Sequence, residues 1–66
     1  MTSSYDLRPV RVSAKDLLPG DMVSMSDGTT DDVQDIEHET DGSVSVDYAS
    51  GTVSIIPGDQ DIVILV

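Results

Sequence analysis

The sequence predicts an all-β domain: a small antiparallel barrel of five to six short strands with one helical turn. Three observations carry that expectation. Turn dipeptides, Asp27-Gly28, Asp41-Gly42 and Ser50-Gly51, divide the chain at short intervals, and such pairs tolerate the positive φ angles of tight hairpins. The segments between them are β-prone and short. No intervening helical pattern separates them, which argues for a small barrel or sandwich rather than an α/β fold.

Size limits what such a domain holds. A chain of 66 residues fits one domain and buries only about 60% of the surface its unfolded form exposes, so the core is thin. With no Cys, Trp or Phe, neither disulfides nor a thiolate zinc site reinforces it, and Val, Ile, Leu and Met supply the burial. No basic leader followed by an apolar stretch opens the chain, and the longest apolar run, Ile62 to Val66, is far short of the roughly 20 residues of a membrane span. The expected setting is the cytoplasm, with no membrane contact.

Taken in order, residues 1–8 lack periodicity and read as a flexible N-terminal arm; residues 9–66 form the β domain. Tyr5 and Leu7 remain available to dock on the body. Pro9-Val10-Arg11-Val12 alternates apolar and polar, and its proline suits an edge strand. Ser13-Ala14-Lys15-Asp16 reads as an N-cap serine with an acid three residues on, and Leu17-Leu18-Pro19-Gly20 stops the helix after one turn. Both leucines are expected to plug one end of the core.

The strands that follow are predicted at Met22 to Met25, Thr30 to His38, Ser43 to Tyr48, Thr52 to Ile56 and Ile62 to Leu65, arranged as an antiparallel meander. Pro57-Gly58 suits a type II turn before the last of them. Val44, Val46 and Tyr48 share one parity and face inward, with Ser43, Ser45 and Asp47 outward. Val33 and Ile36 have opposite parity, so a β-bulge near Gln34-Asp35 is needed to bring both to one face. The last strand is apolar on both parities. It is either covered on both faces or exposed at an edge, where a homodimer would cover it.

The pattern Ala14-x-Asp16-Leu17-x-Pro19-Gly20-Asp21-x-Val23, then Asp27-Gly28, a long strand, Val44-x-Val46-x-Tyr48, Gly51 and Asp61-Ile62-Val63-Ile64 resembles a small SH3-like β-barrel over residues 10 to 65. The resemblance implies a fold and leaves the function open. Size and charge also resemble those of small bacteriophage or actinobacterial proteins. The segment Asp16-Leu17-Leu18-Pro19-Gly20-Asp21-Met22-Val23 is similar to an opening strand of Hint-type self-splicing domains. That activity is rejected: the chain is too short and lacks the nucleophile at residue 1 and the terminal Asn.

Charge narrows the function classes. The chain carries 13 acidic and three basic residues for a formal net charge of -10. Arg8, Arg11 and Lys15 all precede residue 16, so residues 16–66, with 12 acids and no Lys or Arg, sum to -12. Direct contact with nucleic acid or an anionic membrane needs cations on the contact surface and is disfavoured. A basic protein partner fits. The candidate partner-binding residues are Asp31, Asp32, Asp35, Glu37, Glu39 and Asp41, six carboxylates in eleven residues.

Catalysis and cofactors find no support in the pattern. An EF-hand loop needs glycine after alternating acids; here Gly28 precedes them, and a solvated acidic face is the preferred reading over a calcium site. His38, between Glu37 and Glu39, has no matching nucleophile and reads as an exposed or rim residue rather than an acid–base group. No serine lies in a Gly-x-Ser-x-Gly elbow, and neither Pro-Gly-Asp turn is followed by the lysine of a phosphate loop. Tyr5 and Tyr48 read as packing residues, since nucleic-acid barrels surround such rings with basic charge. The expectation is a non-enzymatic interaction module without cofactor. A DNA mimic, a self-associating structural protein and adaptation to molar salt are the alternatives.

Overall fold

The computed structural model describes residues 7–66; the expectations placed on Tyr5 and on the first six residues of the arm lie outside the described residues. Among the described residues six strands are present: β1 (Pro9–Ser13), β2 (Met22–Ser24), β3 (Thr30–His38), β4 (Ser43–Tyr48), β5 (Val53–Pro57) and β6 (Asp61–Leu65), with one 3-10 turn at Ala14–Asp16. All pairings are antiparallel. The architecture is compatible with an SH3-like fold. Among the described residues no helix is long and apolar enough to cross a membrane.

The strand order is β1-β6-β2-β3-β4-β5, so only β2 to β5 run as a meander. β6 returns between β1 and β2: Val10 pairs with Ile64 on one side and Val23 with Ile64 on the other. The ladder extends past β1, because Arg8 N–H donates to Val66 C=O (2.7 Å) and Val66 N–H to Arg8 C=O (2.9 Å). Both edges of the C-terminal strand are thereby occupied. Among the described residues, the free edges belong to β1 and β5.

The expected barrel does not close. Closure would need the two edge strands, β5 and β1, to pair with each other, and no such pairing forms among the described residues. Pro57 also has no N–H to offer a further ladder. An open groove remains instead between β5 and the β2–β6 pair.

The core consists of Ala14, Leu17, Val23, Val33, Val44, Val46, Tyr48 and Ile64, with Val12, Met25, Ile36, Ile56 and Ile62 packed around it. No polar residue among those described is buried. The predicted alternation of β4 holds, with Val44, Val46 and Tyr48 buried. The bulge also lies where parity required it: Val33 pairs with Tyr48 and Asp35 with Asp47, leaving Gln34 as the extra residue.

The region around the 3-10 turn departs from expectation in three ways. Ser13 makes no side-chain cap, because backbone carbonyls satisfy the turn: Ala14 N–H donates to Gln60 C=O (2.9 Å) and Lys15 N–H to Gly58 C=O (3.0 Å). Leu17 is buried, but Leu18 is 65% exposed; Leu17 is extended, so the next side chain turns to the opposite side. The type II geometry belongs to Leu18-Pro19-Gly20-Asp21, where Asp21 N–H donates to Leu18 C=O (3.1 Å) and Gly20 has φ 97°. Gly58 instead takes the second position of a turn that Pro57 starts, closed from Gln60 N–H to Pro57 C=O (3.0 Å). Its own N–H donates to Gly42 C=O (3.1 Å), holding Pro57 in the strand.

Candidate functional site

β3 determines where the carboxylates go. Before the bulge, Asp31 shares the inward parity of Val33, and Asp32, paired with Met22, points outward. A regular strand would next send Gln34 and Ile36 outward. The extra residue at Gln34 reverses the parity, so Ile36 packs against the core while Asp35 and Glu37 join Asp32 on the outer face. One backbone irregularity therefore serves the core and the acidic face together.

β4 adds a carboxylate beyond the six singled out from the sequence. Asp47 lies directly opposite Asp35, and Ser45 opposite Glu37. Like charges directly across a ladder are destabilising, so the outer face holds electrostatic repulsion that no Lys or Arg among residues 16–66 relieves. The signal for Asp47 was present in its outward parity on β4, but pairing it with Asp35 required the register of β3, which the bulge sets.

The other acids are engaged differently. Asp31 is half-buried at the rim and accepts from Ser50 Oγ (2.5 Å) and Ser50 N–H (3.3 Å), tying the β4–β5 turn to β3. Burial pushes the Tyr48 phenol above its ordinary pKa, and the charge of Asp31 adds to that push. Asp41 occupies the β3–β4 turn, where its Oδ1 accepts from Ser43 Oγ (2.6 Å) and Ser43 N–H (2.9 Å). These bonds hold its carboxyl below the usual aspartate value, the hydroxyl contributing most. Asp27 is lowered in the same way by Thr29. Glu39 is exposed just past β3, its N–H donating to Ser43 C=O (2.9 Å).

The six candidates thus separate: Asp32, Asp35 and Glu37 share a face with Asp47, Asp31 and Asp41 are hydrogen-bonded to turn serines, and Glu39 is exposed past the end of β3. Among the described residues no group of three His, Asp or Glu side chains is placed to hold a metal ion. His38 is exposed at the end of β3, paired with Val44. Comparison with protein-family models, with curated proteins and with solved structures returned no match. Fold and site together define an open six-stranded antiparallel β domain with an acidic outer face.

Proposed function

We propose that this chain is a non-enzymatic protein-interaction module that docks a basic partner protein on the outer face of β3 and β4. One observation carries the reading: Asp35 and Asp47 oppose each other in the ladder, with Asp32 and Glu37 beside them. A cationic partner relieves that repulsion on binding, and the gain adds to whatever apolar contact the interface makes. The domain is small and its grooves are open, which suits docking better than enclosing a substrate. The proposed setting is the cytoplasm, and the SH3-like architecture and acidity fit a small bacteriophage or actinobacterial protein.

Pull-down with the wild-type chain and an Asp35→Lys/Glu37→Lys/Asp47→Lys variant tests this. Basic proteins retained by the wild type, lost at moderate salt and lost with the variant support the module. Equal retention by both chains overturns it. The run of Asp32, Asp35 and Glu37 along one strand also supports a second reading, in which the face mimics a phosphate backbone. DNA that fails to displace the captured partner rules this out.

A further inference from the structure

The hydrogen-bond phase of β5 can be read from both ends of its ladder with β4. Tyr48 N–H donates to Thr52 C=O (2.9 Å) at one end, and Gly58 N–H donates to Gly42 C=O (3.1 Å) at the other. Antiparallel ladders alternate between bonded and non-bonded pairs. Ser54 and Ile56 therefore bond to Val46 and Val44, while Val53 and Ile55, opposite Asp47 and Ser45, turn their N–H and C=O groups toward the unpaired edge. Pro57 has no N–H, and its carbonyl is taken by Gln60. The open template is the short stretch Val53 to Ile55.

Side chains around this template are unusual for an edge. Protein edges are commonly blunted with charge, yet Val53 is 58% and Ile55 73% exposed. On the other side of the strand lies the groove of about 720 Å³ left by the unclosed sheet, lined in part by Val23, Met25, Ile56 and Ile62.

We propose that β5 is a docking edge for an extended segment of a partner protein with alternating basic and apolar residues, which adds to Val53–Ile55 as a further strand. This rests on the acidic-module reading and names the partner's chemistry. Successive side chains of an added strand point to opposite faces. The apolar set enters the groove beside Ile56. The basic set lies over Val53 and Ile55, its methylene stems covering them, and carries its charges toward Asp47 and then Asp35, the nearer lying about 10 Å away across two strand spacings.

Charge selects this occupant over a second copy. A copy's β1 is the other free edge and carries Arg11, but it brings a net charge of -10 with it. Pro9 also removes a donor from that strand. A Lys- or Arg-bearing segment brings the attraction without the repulsion.

The test uses the full 15N-labelled chain titrated with a blocked heptapeptide of alternating lysine and valine, at low salt, beside a glutamate–valine control. Expected are amide shifts and exchange protection at Val53 and Ile55, no response to the control, and at least tenfold weaker binding by Ile55→Pro. Ile55→Lys, which leaves the ladder to β4 intact, gives the same loss should the proline variant fail to fold. Binding that moves only Asp32, Asp35 and Glu37, and survives both substitutions, overturns the edge while leaving the acidic face standing. Failure of the lysine–valine peptide to bind, while basic proteins still depend on the face in pull-down, overturns the edge alone; failure of both experiments overturns both readings. Self-association by sedimentation that Ile55→Lys abolishes assigns the edge to a second copy and overturns the proposal.

Discussion

Asp35 and Asp47 face each other as a directly paired position of the β3–β4 ladder, one residue past the bulge at Gln34. Two carboxylates directly opposite in a ladder repel, and side-chain pairs across a ladder contribute roughly 0.2–1 kcal/mol. Asp47→Lys converts the repulsion to attraction. The expected result is a gain of about 1 kcal/mol, or roughly 4–8 °C in Tm for a chain of this size. Thermal unfolding at two salt concentrations checks it, and the gain shrinks as salt rises.

Leu17 and Leu18 are adjacent yet differ in exposure, at 1% and 65%. Leu17→Ala removes a fully buried side chain and is expected to cost about 2–5 kcal/mol. Leu18→Ala stays within about 0.5 kcal/mol of wild type. Denaturant melts of the pair settle which leucine closes the core; similar losses from both would contradict the extended geometry after the 3-10 turn.

Gly58 cannot accept a side chain without movement, since a Cβ there collides with the Gly42 carbonyl. The same carbonyl receives the Gly58 N–H, and the Gly58 carbonyl receives Lys15 N–H. Gly58→Ala forces these backbones apart and is expected to cost about 1–3 kcal/mol, a typical overpacking loss. Loss of exchange protection at the Lys15 and Gly58 amides localises the damage.

Asp41 and Asp27 titrate below the ordinary aspartate value of about 3.9, because Ser43 and Thr29 donate to their charged forms. A folded value below the unfolded one means these bonds stabilise the fold above the unfolded pKa. That contribution fades as pH falls through the folded value. An NMR titration of the Asp41 carboxyl is expected to move upward in Ser43→Ala; an unmoved midpoint would place the cause elsewhere.

Arg8 and Arg11 belong to the β1–β6 ladder, and Lys15 lies near Asp41 and Asp59 at the adjoining end of the domain. They are the cations available to offset the acidic body. Replacing all three with neutral residues is expected to lower Tm, more at low salt than at high, since self-repulsion is screened by ions. Wild-type stability should itself rise with salt. A triple variant that melts like wild type at low salt would show that these cations do not offset the body's charge.

Much of the fold was legible because its signals are local. Tight turns appeared at Asp27-Gly28, Asp41-Gly42 and Ser50-Gly51, where the glycines take positive φ. The parity conflict between Val33 and Ile36 located the bulge, and the spans of β3 and β4 followed from the turn dipeptides that bound them. The turn at Pro57-Gly58 was misread because the decisive contact is distant: Gly42, sixteen residues away in sequence, takes the Gly58 N–H. Leu18 was misplaced because a run of two leucines carries no parity until the backbone between them is known.

The sequence by itself determined the β class, the turn chemistry, the inward face of β4 and the segregation of charge, all of which depend on neighbours within a few residues. Only the tertiary structure decided that β6 lies between β1 and β2, that the outer edge of β5 faces an open groove, and that Asp47 joins Asp35 on one face. Strand pairing is a long-range choice among near-equivalent apolar partners. It is resolved when the whole core packs, because only then does each backbone edge find or fail to find a partner.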